Sequence, residues 1–318
     1  MLGVPSLWAK TKGKGITIAV IDTGASVNHP DLVGAIADAQ DFTGSPYGSA
    51  DKQGHSTHCC GIIGARDNQI GIVGVAPEAT VVCGKVLGDN GSGSGVSVSN
   101  GILWAVQKKV DIISMSLGSP YPDQRIKDAI DVALAAGIPV IAAAGNEGPN
   151  LDTVGYPARF PGVISVGSID RSKQISRFSS RGDRVDIAAP GDQITSTYLN
   201  NGYATLSGTS MATPFVAGVC ALLLAVRKAA GMEKLTPDKL IDLLHRTSVD
   251  LGSPGVDTDY GFGLVNPEKL LVDVIPVPPP VIVPIKQIVL GPSDLTSEGA
   301  AKIRQVFGGD IALTLRTV

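Results

Sequence analysis

The sequence predicts an α/β fold in three layers, a mainly parallel central sheet with helices on both faces, followed by a short C-terminal appendage. Three observations predict it. Short apolar runs rich in β-branched residues recur along the chain, amphipathic stretches separate them, and a proline-rich segment follows the last helical pattern. Strands that are apolar throughout, and not alternately polar, belong to a sheet covered on both sides.

The strand runs are ITIAVID at 16–22, TVVCGKVL at 80–87, VDIISMSL at 110–117, IPVIAAAG at 138–145 and VISVGSI at 163–169. Between and after them the helices carry their own punctuation. DQRIKDAIDVALAAG stops at Gly137, where a glycine closes a helix, and TPDKLIDLLHRT opens with Thr236 as N-cap and Pro237 in the first turn. In such a sheet the ligand site lies at the carboxyl ends of the strands. These elements predict a main domain over residues 1–274. IPVPPPVIVPIK, residues 275–286, reads as an extended linker. Residues 287–318 carry too little apolar sequence for a core of their own and are expected to dock on the main domain or on another chain.

A hydrophobic fraction of 43% and a net charge of −3 point to a globular protein without a nucleic-acid footprint. The longest apolar runs read as strand-sized, so no membrane partner is expected. Met1 is followed by LGVPSLWAKTKGKG, which lacks the apolar core and cleavage site of a secretory signal, and the expected location is cytoplasmic. Cys59, Cys60, Cys83 and Cys220 form no C-x-x-C pair and read as reduced core residues.

Four local signals carry chemistry. Asp22 closes an apolar strand, where a carboxylate needs a cation or strong donors, or else caps the next turn. In QGHSTHCCGII, His55 and His58 share a helical face at i, i+3; a zinc site would need Cys59 or Cys60, which cannot complete a tetrahedron with both. One histidine acting as a base with the other packed behind it is the better account. Ser210, in SGTSMATPFVAGVCALLLA, stands at the start of a long apolar helix, where amides and dipole favour an oxyanion; alone it reads as an N-cap. Pro214 is expected to lie in the first turn, where its missing N–H matters least. Asn146 in AAAGNEG can add a second donor to that oxyanion, or serve as a turn residue. Together, Asp, His, Ser and an amide near one sheet edge are the parts of acyl transfer.

On VIDTG with HPDL, GHSTH, NQIGIVGVAP, DIISMSLG, AAGNEG, GTSMATP and YGFGLVN, the chain from about Gly3 to Leu271 resembles the subtilases, and among them the intracellular subtilisins. The resemblance implies a serine endopeptidase with Asp22 orienting the histidine, His55 as base and acid, Ser210 as nucleophile and Asn146 in the oxyanion hole. It implies that His58 is the noncatalytic second histidine. Ser116-Leu117-Gly118 and Ala143-Ala144-Gly145 match the walls of the primary pocket, with Gly155 near its floor, and a roomy pocket of small residues favours large apolar side chains before the cut. Gly91, Ser92 and Gly93 supply the next substrate edge. Gly95 replaces a common aromatic residue and suggests a wider upstream subsite.

A structural calcium is also implied, with no catalytic metal. Asp31, the Asn68 side chain and the carbonyls of Arg66, Ile70 and Ile72 match its ligands, whereas Leu2 stands where relatives place a glutamine. Ser56 and Phe215 replace a usual glycine and histidine without removing a catalytic group. Cys59 matches the proteinase K branch and implies inhibition by mercurials. Protein or peptide substrates are the expected partners, with a homodimer or a tail-mediated contact as the further expectation. Two other readings use the same residues: a silent subtilase that binds or assembles, and a processing enzyme or peptide ligase that passes the acyl group to an amine. Secreted relatives resemble two-part precursors, whereas this sequence begins almost at the catalytic domain; two expectations stand, that such a leading segment was removed or that the tail takes over some control.

Overall fold

Residues 2–272 are described by a computed structural model. In chain order the elements are α1 (Val4–Leu7), β1 (Thr17–Asp22), β2 (Ile36–Asp41), α2 (His55–Gly64), β3 (Thr80–Lys85), α3 (Gly95–Gln107), β4 (Ile112–Met115), α4 (Gln124–Ala135), β5 (Val140–Ala143), β6 (Val163–Ile169), β7 (Ile187–Pro190), β8 (Ile194–Thr197), β9 (Tyr203–Leu206), α5 (Thr209–Ala229), α6 (Pro237–Thr247) and α7 (Pro267–Val272). β1 to β7 form a seven-stranded sheet in the order β2-β3-β1-β4-β5-β6-β7, with every pairing parallel. β8 and β9 make a separate antiparallel hairpin. The expected α/β architecture is the observed one.

The apolar runs are explained by two cores, one on each face of the sheet. Ile18 and Val20 of β1 pack into a core with Cys60 of α2 and Val216 and Val219 of α5, whereas Ala19 and Ile21 enter the core that holds Ile102 of α3 and Ile130 of α4. Successive side chains thus alternate between two dry faces, and the strand needs no polar residues. β2, at the sheet edge, is half-exposed, which is why IADAQD carries no apolar run.

The helix ends follow their punctuation. The Asp123 side chain accepts from the Arg125 N–H at the start of α4, Gly137 takes φ 71° just beyond its end, and Thr236 accepts from the Lys239 N–H to cap α6. The expectation that apolar runs are only strand-sized is corrected by α5, 21 residues with mean hydropathy 1.9. By length and composition it could span a bilayer, but 89% of its apolar window is buried within the protein, where it is the central helix of one core.

β1 sits between β3 and β4: from β1 the chain crosses to the edge strand β2, comes back through β3 beside β1, and then passes to the other side of β1 to lay down β4 to β7 in order. The carboxyl ends of β1 and β4 therefore flank the crevice at which open α/β sheets bind ligands. The expected linker at 275–286 and appendage at 287–318 lie outside the described residues.

Candidate active site

Asp22 is the last residue of β1 and fully buried. His55 is the first residue of α2, and its Nδ1 lies 2.9 and 3.0 Å from the two carboxylate oxygens of Asp22. The Thr23 N–H also donates to Asp22 Oδ1 at 2.7 Å. Burial alone would make the imidazole less basic, but the charge and hydrogen bond of Asp22, with a further pull from Asp51, outweigh it, so the His55 pKa is raised above 6.5. The turn before His55 is closed by Gly54 at φ 96°, where a Cβ would lie 2.5 Å from the Tyr198 ring. Only glycine fits there.

Two residues with no sequence signal hold this pair. Asp51, nearly buried, accepts through Oδ1 from Thr23 Oγ1 and the Gln53 and Gly54 amides, and through Oδ2 from the Thr57 N–H and hydroxyl. It thus caps α2 and ties it to the residue after Asp22. Lys85, fully buried at the end of β3 and in register with Asp22, donates to the Thr23 carbonyl at 2.7 Å and the Ala50 carbonyl at 3.2 Å, and pairs with Asp89 at 2.9 Å. A buried ammonium is tolerable when its donors are satisfied in this way.

His58, one turn on, is buried and points at the hairpin, with Nε2 3.1 Å from both the Ile194 and Ala204 carbonyls. Its pKa is drawn down to about 4, by burial first and then by the charge of His55, against the two carbonyl bonds. Cys59, Asp22 and His55 do bring ligand atoms within 4.8 Å of one another, but His58 is turned away from that group. Cys59 is buried, its thiol 3.5 Å from the Ser210 carbonyl.

Ser210 is the second residue of α5. The expected place of Pro214 is corrected: it lies in the second turn, where its missing N–H leaves the Ser210 carbonyl without its helical donor. That carbonyl is taken instead by the Ser116 hydroxyl at 2.8 Å, which fastens the start of α5 to the end of β4. The Ser210 hydroxyl lies 3.4 Å from the Ser116 carbonyl, and among the described residues no hydrogen bond joins it to His55. Both side chains line one cavity of about 310 Å³ together with Asn146. A turn of the hydroxyl toward the imidazole on substrate binding is the usual tightening of such sites.

Asn146 Oδ1 accepts from the Thr209 N–H at 2.9 Å and the Thr209 hydroxyl at 3.1 Å, so its NH₂ group is the end left for a ligand. Gly145 exchanges two 3.2 Å contacts with Thr209 Oγ1, which brings the ends of β5 and α5 together. The Ser210 amide, at a helix start, has no protein acceptor among the described residues.

A second cavity of about 490 Å³ is lined by Thr23 and His55, by Ser116, Leu117 and Gly118, and by Gly91, Ser92 and Gly93. Ala143, Ala144, Gly145 and Gly155 are not among its lining residues. Ala143 ends β5, and the Ala144 carbonyl accepts from the Gly155 N–H at 2.9 Å. Gly95 does line the cavity, but the space its missing side chain leaves is filled by the Asp123 carboxylate, so the wide upstream subsite is corrected to a polar one.

Away from the cleft, Asp31 is fully buried. Its Oδ2 accepts from the Ile72 N–H at 2.9 Å and the Tyr203 hydroxyl at 3.0 Å, but its Oδ1 has no partner among the described residues. The loop around it is held by the Arg66 N–H on the Asp31 carbonyl, by the Arg66 guanidinium on the carbonyls of Gly34, Pro77 and Ala79, and by Asn68, whose Oδ1 accepts from the Ile70 N–H. Leu2, by contrast, packs against the apolar core. A buried carboxylate oxygen without a donor asks for a cation.

The model of the subtilase family matches residues 13–263. An intracellular serine protease of Paenibacillus polymyxa is 43% identical over 278 residues, which cover 85% of each chain. The major intracellular serine protease of Bacillus subtilis (strain 168) is 42% identical over 85% of this chain and 88% of its own. Subtilisin DY of Bacillus licheniformis is 40% identical over 81% of this chain and 91% of its own.

Proposed function

Because the chain belongs to the subtilase family and is a subtilisin-like serine endopeptidase, we propose that it cuts peptide bonds through an acyl-enzyme on Ser210. His55 Nε2 takes the hydroxyl proton as Ser210 Oγ attacks the scissile carbonyl carbon. Asp22 holds the imidazole by Nδ1 and stabilises the imidazolium. The negative charge that builds on the carbonyl oxygen is met by the Ser210 N–H and the Asn146 NH₂, donors fixed before the reaction begins. His55 then gives the proton to the leaving amine, and water repeats the cycle to release the acid.

The observation that supports these roles is the pairing of buried Asp22 with half-buried His55, which opens on a cavity shared with Ser210 and Asn146. The chain order Asp, His, Ser is that of subtilisin itself. The test is labelling with a fluorophosphonate, mapped by mass spectrometry beside Ser210→Ala. Adduct confined to Ser210 is expected, and a folded protein that takes none would refute the assignment.

Substrates are proteins or peptides. The reading extends to a preference for large apolar residues before the cut, with the backbone of Ser116, Leu117 and Gly118 binding the substrate as an added strand; the Ala144 and Gly145 backbone groups are already taken by Val166, Gly155 and Thr209, so residues 143–145 serve only as a wall. It extends also to a cytoplasmic location, in line with the names of the two intracellular relatives.

A structural calcium belongs to the same reading. The unpartnered Asp31 Oδ1 fits a hard cation, with the Asn68 side-chain oxygen and the carbonyls of Arg66, Ile70 and Ile72 as further donors. The ion would supply charge compensation and tie the 66–72 loop to Asp31. Excess chelator is expected to lower the melting temperature of the Ser210→Ala protein, and an unchanged transition would remove the site.

A further inference from the structure

The cavity lined by His55 also carries a carboxylate, that of Asp123. Asp123 Oδ1 accepts from the Arg125 N–H at 2.9 Å, the bond that caps α4, and from Arg125 Nε at 3.0 Å. Oδ2 serves no cap. It accepts from the Arg125 guanidinium at 2.6 Å and overhangs Gly95 so closely that a Cβ there would lie 1.9 Å from it. Asp123 is the one carboxylate among the described residues lining this cavity, and Val98, Leu117 and Ile126 are among its apolar lining.

We propose that this part of the cleft is a specificity pocket for a basic side chain of the substrate, Lys or Arg, upstream of the residue that precedes the cut. The proposal rests on the reading of the cleft as a peptide site. An alkyl stem lies against Val98, Leu117 and Ile126, and the cationic end reaches Asp123 Oδ2, which has lone-pair capacity beyond its one bond to Arg125. Arg125 is a competitor for this carboxylate. It holds Asp123 through two bonds, Nε on Oδ1 and the guanidinium on Oδ2, but its side chain is 60% exposed and screened by solvent, so a substrate cation competes with it for Oδ2. A large apolar side chain would instead cover the carboxylate without replacing its donors, and an acidic one would meet its charge.

The test is a position-scanning peptide library with the full-length enzyme, its sites counted by fluorophosphonate titration. At one upstream position Arg and Lys are expected to exceed Leu in kcat/KM by about fivefold at low salt, the size of a partly exposed ion pair, and the ratio should shrink as salt rises. Asp123→Asn should abolish the ratio. Gly95→Ala, which pushes a methyl group into Oδ2, should diminish it, and Arg125→Met, which removes the competing cation, should enlarge it. A preference for apolar or acidic residues at every upstream position would overturn the proposal, as would a basic preference untouched by both Asp123→Asn and Gly95→Ala. An enzyme that neither labels nor cleaves would overturn the acyl-enzyme reading and this inference with it; one that labels and cleaves with a flat upstream profile overturns the inference alone.

Discussion

His55 and His58 stand one turn apart on α2, and the protein gives them opposite acid–base behaviour. His55 sits at the lip of the cleft with a carboxylate on Nδ1, and its pKa is raised. His58 is sealed under the β8–β9 hairpin with two carbonyls on Nε2, and its pKa falls to about 4. Burial lowers the basicity of both, so burial does not separate them. The difference lies in the second partner: a full negative charge can hold an imidazolium in a dry site, and two carbonyl dipoles cannot.

The largest expected effect comes from exchanging these roles for none. His55→Ala should lower kcat by about six orders of magnitude, a size known from subtilisin when a triad member is removed. His58→Gln should leave kcat/KM far closer to wild type, because its ring faces the hairpin and not the cavity. Equal losses in steady-state kinetics on a peptide substrate would break the comparison.

A smaller effect sharpens it. Asp22→Asn keeps the shape of the site but removes the charge that distinguishes His55, and a loss of about 10⁴ in kcat is expected, as for the equivalent change in another serine protease. Its pH profile carries the more specific signature. A base must be neutral to act, so wild-type activity should fall as pH drops through a His55 pKa above 6.5. Without the Asp22 charge that limb should move to lower pH, and an unmoved limb would mean that Asp22 does not set the basicity of His55.

How much of this was legible in the sequence depended on how each residue is surrounded. β1, β3, β4, β5 and β6 are dry on both faces, so their apolar runs announced them. β2 lies at an edge and β8–β9 is a two-stranded hairpin with polar and small residues, and neither leaves such a run. The motif residues Asp22, His55, Asn146 and Ser210 carried their chemistry in their types. Asp51 and Lys85 did not: an Asp in ADKQG reads as a turn residue, and nothing in TVVCGK says that its lysine is buried and satisfied by carbonyls from two distant loops. Pro214 was misplaced for the same reason, since the donor that replaces its N–H comes from Ser116, on another element. Asp123 was read only as part of a helix start, because the overlap with Gly95 exists only once α3 and α4 have packed.

The smallest effect tests the buried half of the comparison, through stability instead of rate. Unfolded, His58 regains an ordinary pKa near 6.5, whereas folded it resists protonation down to about 4. Between those values the unfolded chain holds a proton that the native one does not. The native state therefore gains stability as pH rises through this window and loses it as pH falls, by about 3 kcal/mol in total at the linkage of 1.36 kcal/mol per unit. His55 has the opposite sign: its raised folded pKa contributes stability that is complete below 6.5 and is lost as pH climbs past the folded value. Urea unfolding in the Ser210→Ala background, where self-digestion is absent, separates the two. Between about pH 6.5 and 4 the added His58→Gln change should remove part of the acid-side slope, leaving the loss above 6.5 in place. Identical slopes with and without His58 would mean that the hairpin opens to let the imidazole protonate, and that the contrast between the two histidines is one of partners in the closed state only.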